Sequence, residues 1–455
     1  MSRPSEIYET LSPTRLFFKY AVPNMISMAV ISLYMIADGI FVGRFIGADA
    51  LAAINLVMPF VNMSFVFSDM IAVGSAVQIA IHLGEKKELE ASRIFTTCSV
   101  LIVAFSVLIG LAGFFAIGPI LQLLGADAAV TALADSYVKV YAFFAPLIMV
   151  FFAVDNYLRI CGRTRYSMAV NVGTSLLNIA MDYLFLGVLH WGIGAAALST
   201  CIGMTLGTFL SYAPFVRGKL PLGFVRGRIS LRLMRNILFN GSSEFFTNIA
   251  GSVMMLVFNG VLLYLAGAMA VAAFSVVMYV DSVVISLLYG MTDSMQPAIS
   301  YSYGAGNRRR MLAFEKRVLL AGALIAAAAW AALRLGGGEL LALFLKNEDP
   351  ALIALSGQAM ALFSFTYCTS WIGVCLSAFF TAVNRPAVSL LISLGRALLF
   401  PMAALAVLVR ALGLEGVWLA PPVGNGLTAL AAAVVFAVFL RRERARASAP
   451  EGREE

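Results

Sequence analysis

Charge is scarce in this sequence. Only 12% of its 455 residues are Asp, Glu, Lys or Arg, about half the share usual in a soluble domain. There are two histidines, His82 and His190, and five cysteines, Cys98, Cys161, Cys201, Cys368 and Cys375. The cysteines fall in or beside apolar runs without paired spacing, so they read as small packing residues, not as a disulfide framework or a metal site. No HExxH, CxxC or P-loop pattern occurs. Hydrolytic zinc chemistry and nucleotide-driven pumping therefore have no machinery here. A membrane-embedded enzyme would need a nucleophile with its base, or a metal constellation, and two isolated histidines supply neither. No cofactor is expected. A cleavable signal is not expected either, because residues 1–15 are polar and the first apolar run is too long for a secretory h-region.

What the chain does have is hydrophobicity. Apolar residues make up 61% of it, and they gather repeatedly into runs of the twenty or more residues needed to cross about 30 Å of hydrocarbon. Breaks between runs give twelve expected spans: 16–43, 50–80, 92–118, 134–160, 166–189, 192–214, 236–265, 270–300, 311–335, 355–382, 386–410 and 414–440. The fold class is an all-α polytopic membrane protein. The first span begins at "LSPTRLF", where Ser12 is placed to cap and Pro13 to open the helix.

Lysine and arginine orient the spans. Twenty-six of them fall on the side shared by both termini and five on the other, namely Arg44, Lys139, Arg334, Lys346 and Arg410; Arg396 lies inside span eleven. By the positive-inside rule both termini are expected to face the cytoplasm. The net charge of +8 is then a topology and anionic-lipid signal, and no nucleic-acid partner is expected for "NRRRM" or "RRERAR".

The sequence repeats itself. "FIGADALAAINLVMPF" (45–60) and "LAGAMAVAAFSVVMYV" (265–280) agree at seven of sixteen positions, and the same separation of 220 residues pairs Gly84 with Gly304, both at a helix exit. Six spans per repeat is an even number, so both halves enter from the same side and a pseudo-twofold along the membrane normal relates them. The expected domains are a six-helix lobe at 1–215, a basic linker at 216–235, a second six-helix lobe at 236–440 and a tail at 441–455. Such a chain is expected to work as a monomer embedded in the lipid bilayer.

Several stretches together resemble the MATE family, the multidrug and toxic-compound extrusion transporters. They are "ADGIFVGRFIGADALAA", "GRTRYSMAVNVGTSLLNIAMDYLFL", "GIGAAALSTCIG", "MQPAISYSYGAGN" and "NRPAVSLLISLGRALLFP", spread over most of the chain. The Gly-Ser-Ser-Glu of span seven and the end of span eight look closest to the bacterial MepA-like branch. The resemblance implies export of varied cationic or amphiphilic small molecules by alternating access, driven by inward H⁺ or Na⁺. The rival from the same wider superfamily is a flippase for lipid-linked saccharides. That activity calls for a cationic cavity, whereas the in-span charges here are mainly acidic.

Which acids matter? An ionised carboxylate at the centre of a membrane helix costs about 2.5–3.5 kcal/mol even on the gentlest insertion scale, so Asp38 in "LYMIADGIFVGRF" needs a reason. Asn178 and Asp182 are four apart and share one helix face; Thr200 follows in span six. In the family this combination forms a coupling-cation pocket in the N-terminal lobe, and Asp38, Asn178, Asp182 and Thr200 match it residue by residue. Two carboxylates in low dielectric cannot both be ionised without a cation between them. A proton would serve, and carboxylate, amide and hydroxyl oxygens would equally suit Na⁺. The alternative is a structural hydrogen-bond cluster. Later in the repeat the separation becomes 222, pairing Arg163 with Arg385 and Gly194 with Gly416. Asp38 falls opposite Phe258 at the first separation and Asp182 opposite Ala404 at the second, so the fold itself does not require the pair.

The remaining in-span charges divide less sharply. Glu244 stands early in span seven, where the family often has a Glu facing the cavity; it reads as a substrate-attracting acid or as a carboxylate near the interface. Asp155 reads as a partner of Arg159, and Arg396 as structural charge balance. Asp69, Asp281 and Asp293 are cavity or packing candidates. Pro23 removes a backbone hydrogen bond in span one, a helix whose bending the family ties to protonation; a static kink is the other reading.

Overall fold

The computed structural model describes residues 4–123, 127–227, 229–344 and 350–448. Lys346 and Arg228, both counted in the charge asymmetry, and the tail beyond Ser448 lie outside the described residues. Every long element among those described is helical. Twelve crossings follow one another: Pro13–Phe45, Ala48–Gly84, Glu88–Leu123, Ala128–Ile160, Thr164–Val188 and Ile193–Val216, then two within Leu231–Gly304, and Arg308–Phe344, Pro350–Ala382, Pro386–Leu412 and Leu414–Ser448. A short helix, Pro4–Thr10, precedes them. Ser12 caps the first span as its sequence position requires, accepting from the Arg15 N–H at 3.4 Å.

Four places differ from simple hydrophobic runs. Spans seven and eight form one helical stretch of 74 residues, which would be roughly 110 Å if straight, far beyond one bilayer. It turns at a single residue, Gly267, whose φ of 72° and ψ of −165° are open only to glycine. Open space surrounds a Cβ built there, so Gly267→Ala is strained by backbone alone. It should lower stability by about 1–3 kcal/mol, while Gly260→Ala, also unobstructed but without a positive φ, should not; thermal unfolding of the two variants reads the difference. Span ten breaks at Ser364–Cys368, a 3₁₀ segment. Spans five and eleven, equivalent in the repeat, each widen into a π-helical turn, at Tyr183–Val188 and Gly395–Leu399.

Packing divides the chain into two compact units. The first holds Met1–Phe245, Tyr289–Arg317 and Thr381–Pro386. Within it glycines let helix backbones touch. A methyl group built on Gly241 would lie 1.7 Å from the Met70 carbonyl oxygen, and one on Gly74 would lie 2.0 Å from that of Ile237. The repeat-related glycines pack reciprocally: Gly84 faces the Tyr301 carbonyl and Gly304 the Ile81 carbonyl, both at 2.2 Å by the same measure. Hydrogen bonds join the same segments, among them Asn24 Nδ2 to Gly290 O (2.6 Å) and Gln78 Nε2 to Asn384 Oδ1 (3.0 Å).

The second unit holds Phe246–Leu288, Val318–Phe380 and Ala387–Glu455. Its core is apolar and aromatic. Phe258 stacks on Phe274 at 5.4 Å between centroids, and Phe274 on Trp418 at 6.2 Å. Asp281 accepts from the buried Tyr367 hydroxyl at 3.0 Å.

Candidate functional site

The four residues singled out for cation binding come together inside the first unit. Span one supplies Asp38, span five Asn178 and Asp182, and span six Thr200. The helical rise places Asn178 one turn before Asp182 on the same face. The Asn178 amide nitrogen donates to Asp182 Oδ2 at 3.0 Å, and its oxygen accepts from Thr200 Oγ1 at 2.9 Å and from the Thr200 N–H at 3.0 Å. That orientation satisfies both ends of the amide. Asp182 is fully buried. Its Oδ1 accepts from the hydroxyl of Ser199, and immediately after it the helix loosens into the π-helical turn, a distortion common at functional positions.

Asp38 and Asp182 are linked to each other through their side chains. Two carboxyl groups can hydrogen-bond only if one of them carries a proton. Two unit charges about 4 Å apart would repel by ~4 kcal/mol at an effective dielectric of 20. Asp38 Oδ1 is buried with no hydrogen-bond partner. Among the described residues neither acid has a basic partner. A buried acceptor with nothing to accept from is costly, and a cation would satisfy it. Close by is a small cavity of about 30 Å³ lined by Tyr34, Asn171, Thr174, Asn178 and Thr200, enough for a water or a bare cation.

Ser199, Tyr34 and Tyr137 are participants that the sequence reading missed. Tyr34 stands within electrostatic range of both acids and Tyr137 within that of Asp38. Tyr34 carried a usable signal, since it precedes Asp38 by one helical turn.

The other singled-out residues lie apart from this pocket. Glu244 is half-buried in span seven and belongs to a second acidic group with Asp69 and Asp293, all within the first unit. Pro23 is buried in span one, roughly 22 Å along the helix from Asp38; its carbonyl accepts from Ser27 Oγ at 3.1 Å. Asp155 pairs with Arg159 at 3.2 Å and also accepts from Ser167 (2.5 Å) and Asn171 (3.0 Å), while Nε and Nη1 of Arg159 are buried without a hydrogen-bond partner.

The positions opposite the acid pair in the repeat are informative. Phe258 and Ala404 belong to one apolar cluster in the second unit. Where the first half buries two acids, the second half buries hydrocarbon.

The MatE family model matches this chain twice, over residues 23–184 and again over 245–405. The chain belongs to the MATE family. The two matches are the two halves of the repeat. Multidrug export protein MepA of Staphylococcus saprophyticus is 22% identical over 443 residues, 96% of each chain. A solved MATE structure in complex with MaL6 superposes with a TM-score of 0.91 at 23% identity, covering 97% of this chain and 99% of that one. A transporter of the MOP superfamily from Pyrococcus furiosus, described as having a binding pocket of reverse polarity, superposes with a TM-score of 0.88 at 24% identity over 95% and 96% of the two chains. This MATE protein is thus a multi-pass transporter of a bacterial inner membrane, not an enzyme.

Proposed function

We propose that this MATE protein is a secondary antiporter that exports cationic or amphiphilic small molecules in exchange for H⁺ or Na⁺ entering at Asp38 and Asp182. One observation carries the reading: the buried Asp38 oxygen beside Asp182 has no partner, while the repeat-equivalent positions sit in an apolar core. The acid pair is therefore an addition to the fold that only a visiting positive charge explains. Asn178 and Thr200 supply dipoles, and their oxygens with the carboxylates make a donor set suited to Na⁺ as well as to a proton. Binding neutralises the pair and lets spans one, five and six draw together; release restores the repulsion. Alternation of the two six-helix lobes, 1–215 and 236–440, across the 216–235 linker would convert that change into access from one side or the other. The test is efflux of an ethidium-like dye from vesicles under ΔpH and ΔpNa imposed in turn. Export under neither gradient would remove the proposal.

Polarity around the acid pair favours this reading over a flippase. A pyrophosphate-bearing substrate needs a basic cavity, and the unit that holds the pocket offers Asp69, Glu244 and Asp293 as a further acidic group. Glu244→Gln should weaken cationic substrates by about tenfold, the equivalent of ~1.4 kcal/mol, and leave neutral ones of equal size nearly unchanged. Concentration dependence of efflux for a matched pair of substrates measures this. An equal loss for both would assign Glu244 to coupling or folding.

The charge asymmetry supports cytoplasmic termini. Single cysteines placed in the 216–235 linker and in the tail should react with an impermeant maleimide only after the membrane is opened. Labelling from outside intact cells would overturn the orientation.

A further inference from the structure

The first unit carries a second built cavity, unrelated to the acid pair. It is an open cavity of about 760 Å³ between the end of span two and the start of span seven. His82 lines it from span two, and Arg232, Arg235, Asn236 and Phe239 line it from span seven. Their spacing of three, four and seven places these last four on one helix face. Both arginines are exposed, and neither has a carboxylate partner among the described residues. The nearby Glu85 is engaged with Lys87 at 2.8 Å. His82 Nδ1 is held by the Gln78 carbonyl at 2.8 Å, which leaves Nε2 free to meet a ligand.

We infer that this cavity binds the phosphate head group of an anionic phospholipid. Two guanidinium groups on one face match phosphate oxygens bidentately, and basic pockets between membrane helices are a recurrent site for anionic head groups. The apolar surroundings separate a lipid from a free phosphate. Leu231 and Phe239 are 84% and 48% exposed at the mouth of a membrane span, where acyl chains would cover them and a soluble anion would not. Bound there, the lipid bridges spans two and seven about one turn from their crossing at Ile237 and Gly241. Neither drug binding nor ion coupling enters this inference.

The test uses the purified full-length protein in a neutral detergent. Phosphatidylglycerol should raise the thermal midpoint by several degrees, and phosphatidylcholine and glycerol phosphate at equal concentration should not. R232Q/R235Q should lose most of that shift. R232K/R235K should keep part of it, which separates charge from folding. R441Q/R442Q, which removes two exposed arginines at the far end of the chain, should keep it whole. Equal stabilisation of R232Q/R235Q and the parent by phosphatidylglycerol would overturn the site. Stabilisation by glycerol phosphate alone, lost in R232Q/R235Q, would assign the pocket to a soluble phosphate and overturn the lipid.

Discussion

Replacing Asp38 with Asn is expected to abolish gradient-driven export while leaving the protein in the membrane at ordinary levels. The expectation follows from what Asp38 touches. Asp38 faces Asp182, its Oδ1 has no hydrogen-bond partner and it has no salt-bridge partner among the described residues, so Asn gives up no ion pair and relieves a desolvation cost. The same holds for Asp182→Asn, although its hydroxyl partner Ser199 and amide partner Asn178 make it the less conservative change. If the two acids take up one cation between them, the double replacement should be no worse than either single one. Asn178→Ala and Thr200→Ala remove dipoles and not charge, and should give milder defects whose size depends on whether H⁺ or Na⁺ is supplied. Membrane abundance by immunoblot and efflux under an imposed gradient separate the folding outcome from the coupling outcome.

The second large effect belongs to the glycine crossings. Gly241→Ala places a methyl group 1.7 Å from a backbone carbonyl of span two, a clash that no rotamer can relieve. Overpacking of this kind costs about 1–3 kcal/mol or more. Gly241→Ala should therefore lower both thermal stability and transport. Gly251 lies ten residues further along the same helix with nothing within 4 Å of a built Cβ. Gly251→Ala should be neutral or slightly stabilising, since alanine gains about 0.8–1 kcal/mol of helix propensity over glycine. Equal behaviour of the two variants would mean that the close approach at Gly241 has no role.

Much of this was legible in the residues. The twelve crossings followed from run length, and the pocket from a four-residue spacing in span five read together with the family resemblance. The repeat pointed to Gly84 and Gly304 as equivalents, and the structure packs each against the other's helix. Periodicity could not register the π-helical turns after Asp182 and around Arg396, because one extra residue in a uniformly apolar run leaves no trace in the pattern. Gly74 and Gly241 were invisible for a related reason: a glycine in an apolar run announces a close approach but not the helix that approaches. Gly267 replaced an expected loop between spans seven and eight by a single bent residue, since one glycine with positive φ reverses the path that a four-residue connection was expected to provide.

The central claim is that the cation exchanged for substrate is carried by the Asp38–Asp182 pair. The most direct test imposes no ion gradient at all. Purified protein in sealed vesicles is given a cationic substrate on one side only, and the movement of protons or sodium in the opposite direction is followed. Substrate-driven counterflow of one of these ions in the parent protein, absent in Asp38→Asn, is the expected result. Counterflow of equal size in Asp38→Asn would contradict the account, because the cation would then be crossing without the acid pair.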